Sequence, residues 1–391
     1  MAVPVRTDSR RAVKFADGAA GILGLGLATP KVGLAQEAIA DWAKGYCQPS
    51  EKQTRLLQVL YRSTGIQRRY SVLAEEGTEA NSSAQLPFYA PPAISSDLGP
   101  STRDRMQRYA AEAVPLGSAA ASRALKDANL APAQIDYLIT VSCTGFFAPG
   151  LDIGLIGALG LKPDVGRLHV GFMGCHGVFN ALRQAKALCA ENPRAHVLIC
   201  AVELCSLHLQ YGWDDQKLVS NSLFADGAAA VVLGAPPEAA RGSSSTGTNP
   251  VPWRVAALGS RIFPDATDAM SWNIGDHGFE MTLSRRVPEL IQAHLRPWLE
   301  QWLATQGLSL NEVGTWAIHP GGPRIVQIVE TALGLPPETA SASREVLSEF
   351  GNMSSPTILF ILERLRAQNA ARPCVALGFG PGLAAEAALI R

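Results

Sequence analysis

Cys175 is the residue of this sequence that best fits a chemical nucleophile. It lies in Gly-Phe-Met-Gly-Cys-His-Gly, where a predicted strand turns into a predicted helix. The dipole and the free N–H groups of a helix N-terminus favour the thiolate, which is the reactive form of cysteine. The alternative is a buried structural cysteine at a tight turn. His176 is a weaker candidate, because its side chain should point away from that of its neighbour.

His319 and Asn352 are candidates for the groups that act with this thiol. His319 ends a predicted strand and precedes Pro-Gly-Gly-Pro. Beside a thiolate, we expect it to be an imidazolium that donates a hydrogen bond. Asn352 follows Phe-Gly, and its amide would donate to an oxyanion. Considered alone, His319 is better explained as a loop residue that caps a backbone carbonyl, and Asn352 as a helix N-cap.

Strands and helices must alternate around these residues to position them. A helix is predicted over 177–190, where Val178, Leu182 and Ala185 share one face. Apolar runs rich in β-branched residues predict buried strands at 135–143, 168–173, 196–202 and 228–233. This alternation indicates an α/β fold in which helices cover the sheets. A loop rich in Ser and Pro is predicted over 81–102.

The two halves of the chain repeat one pattern. Residues 130–143 and 310–319 each run from a polar helix end, through a buried strand, to a reactive type of residue in a Gly- or Pro-rich loop. Cys175 and Asn352 each follow a glycine before a predicted helix. The offsets between matching positions of the two halves agree to within one residue (319 − 143 = 176; 352 − 175 = 177). Two such units packed face to face would bring the ends of matching strands together, and a site would form there.

The repeat predicts two halves and a tail. The tail covers 1–20, the half with the nucleophile covers 21–235, and the half with the histidine and asparagine covers 251–391. The segment between the halves is rich in Pro, Gly and Ser, which is typical of a boundary loop. A chain of 391 residues is long enough for two fused domains or one large double domain.

The composition excludes several classes of protein. Apolar residues make up 47% and charged residues 17%, and the formal net charge is zero, so nothing favours a nucleic-acid partner. No apolar run approaches the roughly 20 residues of a membrane helix, and the N-terminus lacks the apolar core of a signal peptide. The seven scattered cysteines contain no C-x-x-C pair, which argues against a disulfide framework or a metal site. We therefore expect a protein of the reducing cytosol.

Four motifs carry a family resemblance. They are Leu-Phe-Ala-Asp-Gly-Ala-Ala-Ala, His-Pro-Gly-Gly-Pro, Phe-Gly-Asn-Met-Ser-Ser and Gly-Phe-Gly-Pro-Gly, at 223–230, 319–323, 350–355 and 378–382. From about residue 21 to the C-terminus, the chain resembles the chalcone synthase-like type III polyketide synthases. The resemblance implies a thiolase fold, five-layered αβαβα, built from two pseudo-repeated halves. It also implies a homodimer that uses coenzyme A thioesters as substrates and has no cofactor.

The resemblance assigns roles to the candidate residues. It implies that Cys175 carries the acyl group, while His319 and Asn352 bind the thioester carbonyl of malonyl-CoA and stabilise the enolate left when carbon dioxide departs. Phe224 matches the gatekeeper between the coenzyme A tunnel and a buried cavity. Other residues that would border this cavity are Ser354, Gly378, Phe379 and Gly380. Decarboxylative condensation needs a thiolate, an enolate-stabilising pair and no strong base, which agrees with this set.

The departures from the plant members concern the substrate, and they resemble bacterial enzymes. Met281 replaces a second gatekeeper phenylalanine, and the bulky Trp272 replaces a glycine. Cys143 and Cys205 stand in place of threonines, and Ala148 in place of a methionine that reaches across the dimer. We expect these three residues to open a path for an acyl chain, and Trp272 to narrow the cavity on the extending side. The basic residues near the expected coenzyme A entrance are Arg55, Arg62 and Arg324.

The sequence therefore predicts a type III polyketide synthase that extends a fatty acyl starter with malonyl-CoA. The expected products are alkylpyrones or alkylresorcinols. One alternative is a single condensation of the kind made by 3-ketoacyl-carrier-protein synthase III. Another is a non-catalytic thiolase-fold partner. The sequence leaves open whether the starter acyl group arrives on coenzyme A or on a carrier protein, and it gives no reason to expect a nucleic-acid or membrane partner.

Overall fold

The computed structural model describes residues 20–75, 88–94, 96–235 and 253–391. The predicted tail and the predicted boundary segment lie outside these ranges, apart from Ala20. Part of the predicted 81–102 loop also lies outside them, and its described residues before Thr102 form neither helix nor strand. All seven cysteines have free thiols. Within the described residues, no helix is long and apolar enough to cross a bilayer, and no cluster of side chains suits a metal ion.

Strands and helices alternate between residues 137 and 234, as the sequence predicts. The strands are β1 Ala20–Ala28, β2 Gly33–Ala35, β3 Arg68–Tyr70, β4 Tyr137–Ser142, β5 Gly166–Gly171, β6 Val197–Leu204, β7 Asp226–Gly234, β8 Arg254–Ile262, β9 Met270–Gly275, β10 Gly278–Leu283, β11 Thr315–Ile318, β12 Cys374–Gly380 and β13 Ala384–Ile390. The helices are α1 Gln36–Cys47, α2 Glu51–Ser63, α3 Thr102–Asp127, α4 Leu151–Leu159, α5 Gly177–Glu191, α6 Asp215–Leu223, α7 Val287–Ala304, α8 Pro323–Leu333, α9 Ser341–Phe350 and α10 Thr357–Ala367.

One nine-stranded sheet runs through both halves, in the order β11-β12-β13-β8-β1-β7-β6-β4-β5. The first four strands belong to the C-terminal half and the other five to the N-terminal half. The two groups meet only where β1 pairs with β8, through Ala20 opposite Val255 and Gly21 opposite Arg254. Two short hairpins, β2–β3 and β9–β10, lie outside this sheet.

The layers confirm the predicted five-layered αβαβα architecture. Helices α5 and α10 form the middle layer, because Phe179 and Ile361 pack in one core with strand residues of both halves, such as Val231 and Ala388. Helix α3 covers the outer face of the N-terminal strands, while α7 and α8 cover that of the C-terminal strands. The strands β6, β7 and β12 are buried along their whole length, which explains why their sequences are almost continuously apolar.

Helix α3 approaches β1 closely because of glycine. A Cβ on Gly26 would lie 2.2 Å from the carbonyl oxygen of Ala120, and one on Gly24 would lie 2.3 Å from that of Ala124. No side chain fits at such distances. Small residues on both elements therefore set how tightly the outer helix covers the sheet that carries the site residues.

Candidate active site

Cys175 lies in a tight 3₁₀ turn, Gly174–His176, that leads directly into α5. The turn needs glycine at its first position, since Gly174 has φ +66° and a Cβ there would lie 2.5 Å from Pro381. Pro381 follows β12, so this contact joins the nucleophile turn to the other half of the chain. The side chain opens onto a cavity with an empty volume of about 390 Å³, called here the catalytic cavity.

The environment of Cys175 is less favourable to a thiolate than its helix-terminal position suggests. Burial raises the pKa of the thiol to about 11, and hydrogen bonds from Ser354 and Asn352 offset only part of this effect. Ser354 holds φ +57°, and its hydroxyl oxygen lies 3.4 Å from the sulfur of Cys143. In the free protein, the thiol is therefore the stable form.

Asn352 connects the two halves of the site. Its backbone N–H donates to the carbonyl of Leu223 at 2.9 Å, and it forms an isolated parallel bridge with Phe224. Its amide nitrogen donates to the carbonyl of Gly321 at 3.2 Å and also contacts the Cys175 thiol. The interpretation as a helix N-cap is wrong, because α10 begins only at Thr357. The Asn352 side-chain oxygen instead accepts from the nearby Ser354 N–H at 2.8 Å.

His319 follows β11 and is 1% exposed. Its backbone N–H donates to the carbonyl of Leu377 at 2.8 Å, which fixes the residue to β12. Within the described residues, neither ring nitrogen has a hydrogen-bond partner. Burial, with a further contribution from His176, lowers the pKa of the ring to about 3. The free site therefore holds a neutral imidazole and not the expected imidazolium. His319 does not line the catalytic cavity, and both of its ring nitrogens are buried in this state.

Glu203, at the end of β6, is a site residue that the sequence reasoning missed. The carboxylate is fully buried and accepts from the backbone N–H of Cys143 at 3.0 Å, from Thr144 Oγ1 at 2.7 Å and from Ser355 Oγ at 2.5 Å. Burial raises its pKa. The predicted strand ended one residue earlier, so a carboxylate at the strand end was the available signal.

Most of the predicted cavity residues line the catalytic cavity together with Cys175. These are Cys143, Cys205, Phe224, Trp272, Met281, Ser354 and Gly380. The prediction is wrong for Phe379, whose side chain lies on the opposite face of β12 and packs in the outer C-terminal core. Gly378 shares the inner face but does not border this cavity, because the ring of Phe179 covers it: a Cβ on Gly378 would lie 2.8 Å from that ring.

A second, larger cavity adjoins the first. It has an empty volume of about 650 Å³ and is called here the inner chamber. Three residues border both cavities, namely Cys205, Phe224 and Trp272. Cys143 does not border the inner chamber. Ala148 is exposed and borders neither cavity. Of the three residues expected to open an acyl path, only Cys205 therefore lies between the two cavities.

The basic residues expected to contact coenzyme A lie on the surface. Arg62 on α2 and Arg324 in the first turn of α8 are exposed, and neither borders the two cavities. Arg69, which the sequence reasoning did not single out, is 6% exposed and borders the inner chamber. Its guanidinium donates to the side chain of Gln36 at 2.8 Å and to the carbonyl of Phe224 at 2.7 Å. Arg69 therefore links Gln36, at the start of α1, to Phe224, which follows α6 and borders the chamber.

Two family models match nearly the whole chain. The N-terminal domain of chalcone and stilbene synthases matches residues 7–237, and the C-terminal domain matches residues 255–391. A curated relative from Mycobacterium tuberculosis, the alpha-pyrone synthesis polyketide synthase-like protein Pks18, is 34% identical over 293 residues. That match covers 73% of this chain and 72% of the relative.

Two solved structures share the fold over almost their full length. One is PKS-I from the brown alga Ectocarpus siliculosus, with a TM-score of 0.85 and 30% identity, covering 95% of this chain and 98% of that one. The other is the C-terminal type III polyketide synthase domain of Steely1, a type I/III hybrid from Dictyostelium. It has a TM-score of 0.82 and 25% identity, covering 95% and 99%.

Proposed function

Because this chain belongs to the chalcone and stilbene synthase family and is a type III polyketide synthase, we propose that it extends fatty acyl starters with malonyl-CoA and cyclises the products to alkylpyrones or alkylresorcinols. The observation that carries the catalytic assignment is Asn352, whose amide contacts the Cys175 thiol and also bonds Gly321 in the loop that follows His319. The name of the mycobacterial relative favours an α-pyrone product.

Loading begins with proton transfer from the Cys175 thiol to His319. Burial disfavours each charge alone, since it raises the pKa of the thiol and lowers that of the imidazole. Transfer of the proton between them forms both charges together and leaves the site neutral. The thiolate then attacks the starter thioester, coenzyme A or a carrier thiol leaves with the proton, and His319 becomes neutral again.

Extension uses His319 and Asn352 as hydrogen-bond donors. Both donate to the thioester carbonyl oxygen of malonyl-CoA, and they stabilise the enolate that forms when the C–C bond to the carboxylate breaks and carbon dioxide leaves. The enolate carbon attacks the acyl thioester on Cys175, and the Cys175 thiolate leaves. A neutral imidazole still donates one hydrogen bond, so the low pKa of His319 is compatible with this role.

The product test uses the purified protein, malonyl-CoA and a series of acyl starters, with mass spectrometry of the products. We expect pyrones or resorcinols formed by several extensions. A single β-ketoacyl product would favour the 3-ketoacyl-carrier-protein synthase type of reaction. Absence of any product with coenzyme A or carrier-protein starters would favour a non-catalytic partner. Supplying each starter both as a coenzyme A thioester and as a carrier-protein thioester also shows which of the two donates the acyl group.

The proposed coenzyme A contacts are Arg62 and Arg324, whose exposed guanidinium groups are free to meet phosphates at the surface. We expect replacement of either by alanine to raise KM for malonyl-CoA. The matched control is malonyl-N-acetylcysteamine, which has the same thioester but no nucleotide, and its KM should not change. If the variants leave both KM values unchanged, these arginines do not bind coenzyme A.

The edge strand β5 favours a homodimer, which we propose as the assembly in the cytosol. This strand ends the sheet, and Leu168 on it is 41% exposed. The neighbouring Phe146 and Met173 are 50% and 44% exposed, so an apolar face lies beside the outer edge of β5, which no other strand of the described residues covers. Light scattering tests the proposal, with Leu168→Asp expected to give monomers. Ile262→Asp is the control, since Ile262 is 68% exposed and lies on β8, which four strands of the sheet separate from β5.

A further inference from the structure

We propose that the exposed side of α2 is a docking site for an acidic acyl carrier protein that delivers the starter. The inference rests on the proposed function, because it requires that Cys175 accept an acyl group. It adds the partner that brings this group and the surface to which that partner binds. The side chains that form this surface, called here the α2 face, are Lys52, Arg55, Leu56, Val59 and Arg62.

The centre of the α2 face is apolar although it lies in water. Leu56 is 57% exposed and Val59 is 60% exposed. They lie three residues apart, so they are neighbours on one side of the helix. The opposite side of α2 is already in use, because Leu57 and Tyr61 are buried in a core that includes Leu218 of α6. The exposed pair therefore lies outside the core and is available to a partner.

Positive charge surrounds this apolar pair. Lys52, Arg55 and Arg62 are exposed, and each lies three or four residues from a member of the pair, on the same side of the helix. Within the described ranges, none of the three forms an ion pair with a carboxylate. The single carboxylate of α2 is Glu51, in its first turn. An apolar centre with a cationic rim is complementary to an acidic protein surface.

The location of the α2 face indicates a partner that donates a thioester. Ile66, which follows α2, packs with Leu223 in one small core. Leu223 lies beside the loop that follows His319, since a Cβ on Gly322 would lie 3.5 Å from its side chain, and its carbonyl accepts from the N–H of Asn352. Acyl carrier proteins are acidic and present the acyl group on a flexible phosphopantetheine arm. A carrier on the α2 face would therefore hold its arm beside the elements that carry His319 and Asn352.

Two other ligands fit the α2 face less well. A helix that binds an anionic membrane buries a broad apolar face in the lipid, whereas this face offers two aliphatic side chains within a cationic rim. Coenzyme A alone would engage the cations and leave Leu56 and Val59 in water. A carrier protein covers the aliphatic pair and also neutralises the rim.

Transfer from the carrier follows the loading reaction proposed above. The Cys175 thiolate attacks the carrier thioester, the bond between the acyl carbon and the pantetheine sulfur breaks, and the proton held by His319 passes to the leaving thiol. Because Arg62 is also a proposed contact of coenzyme A, the carrier and malonyl-CoA should compete for this surface. The carrier must therefore leave before the first extension.

The test compares three donors of one dodecanoyl group, namely an acyl carrier protein of bacterial fatty-acid synthesis, coenzyme A and pantetheine. For the wild type, we expect the catalytic efficiency with the carrier to exceed that with pantetheine about tenfold or more, and to fall as ionic strength rises. Leu56→Asp and Lys52→Glu should each lower the carrier efficiency about tenfold. Both should leave the efficiency with pantetheine unchanged, which a folding defect would not do.

The matched control is Ile262→Asp, which makes the same kind of change at a side chain that is 68% exposed on β8 of the C-terminal half. It should alter the efficiency with none of the three donors. Binding is also measured without turnover, by fluorescence anisotropy of the labelled carrier, so docking is tested whether or not product forms.

The inference is overturned if product forms from the carrier no faster than from pantetheine, or if neither α2 variant weakens binding of the carrier. It is overturned in favour of a membrane if the wild type sediments with anionic phosphatidylglycerol vesicles, Leu56→Asp does not, and the carrier does not bind. Absence of product from all three donors, with the carrier still bound through α2, would instead overturn the proposed function.

Discussion

A neutral imidazole at His319 changes how the nucleophile must be generated. Burial lowers the pKa of His319 to about 3 and raises that of Cys175 to about 11. Neither group ionises alone at neutral pH, so the thiolate depends on a partner that accepts its proton. In the proposed cycle, His319 accepts this proton and later donates a hydrogen bond to the enolate, so one side chain would serve both stages.

This dependence predicts a change in alkylation when the partner is removed. In His319→Gln, the thiol keeps its burial but loses its proton acceptor, so the apparent pKa for reaction with iodoacetamide should rise. The measurement is the rate of carboxamidomethylation against pH in both proteins. Peptide mapping should find the label on Cys175 and not on the buried Cys189 or Cys200. If both proteins have the same pH profile, His319 does not take the proton.

Decarboxylation without a starter should separate the roles of the two donors and the thiol. We expect Asn352→Ala to lower carbon dioxide release from malonyl-CoA by a hundredfold or more, because one oxyanion donor is lost. Cys175→Ala should retain most of this release while losing condensation, and it serves as the control. Carbon dioxide release by Asn352→Ala at the wild-type rate would contradict a donor role for its amide.

The candidate catalytic residues are easier to recognise in the sequence than the residues that support them. Cys175 and Asn352 each follow a glycine and His319 precedes Pro-Gly-Gly, and such turns are visible as motifs. Glu203 was missed because its only signal, a single carboxylate at the end of an apolar strand, is weak on its own. Phe379 was misassigned because strand alternation decides which face it meets, and the motif alone does not give that register.

At the scale of elements, His208 links three segments of the chain through hydrogen bonds of its ring. Its Nδ1 accepts from the N–H of Phe279 on β10 at 2.9 Å, so its Nε2 carries the proton and donates to the carbonyl of Thr144 at 2.6 Å. The ring also stacks on Phe279 with 4.1 Å between centroids. The β9–β10 hairpin is thereby fixed over the catalytic cavity, although it lies outside the main sheet.

These hydrogen bonds of neutral His208 should make the stability of the fold depend on pH in the acid range. Burial lowers the pKa of His208 to about 3, whereas an unfolded histidine has a pKa of about 6.5. Below about pH 6.5, the unfolded chain binds a proton that the folded chain does not, so the stability contributed by neutral His208 is lost as pH falls. The free energy of unfolding of the wild type relative to His208→Gln should therefore fall by about 1 kcal/mol per pH unit between about pH 6 and pH 4.

Urea unfolding of both proteins at several pH values in that range measures the effect. The difference between the two proteins isolates His208 from other titrating groups, such as Asp226, whose raised pKa gives a dependence of opposite sign. A difference that does not vary with pH would mean that the ring accepts a proton in the folded state.

At the scale of the whole molecule, the strands of the nine-stranded sheet form few contacts between the N-terminal and the C-terminal half. Only two residue pairs connect β1 with β8, so the middle helical layer must do most of the joining. One polar contact there is nearly buried: Arg183 on α5 donates to Glu386 on β13 at 2.8 Å, and Glu386 is 3% exposed. Ser260 on β8 donates to the same carboxylate at 2.6 Å.

The Glu386 contact should contribute measurably to stability. Glu386→Gln keeps the shape but removes the charge, and we expect the free energy of unfolding to fall by on the order of 2 kcal/mol. Glu300→Gln is the control, because Glu300 pairs with Arg296 on the surface of α7 and both side chains are about half exposed. That change should stay within about 0.5 kcal/mol of the wild type. Equal losses in the two variants would mean that the buried contact adds nothing to the joining of the halves.

A wall made of Cys205, Phe224 and Trp272 lies between the catalytic cavity and the inner chamber. This wall also bears on processivity. In each extension the growing chain leaves Cys175 for the coenzyme A thiol and must return before the next one, so it passes through a state with no covalent link to the protein. A hydrocarbon tail lodged beyond the wall would hold the intermediate during that interval. Starters long enough to cross the wall should therefore release fewer truncated products than starters that stop short of it, even when both load onto Cys175 equally well.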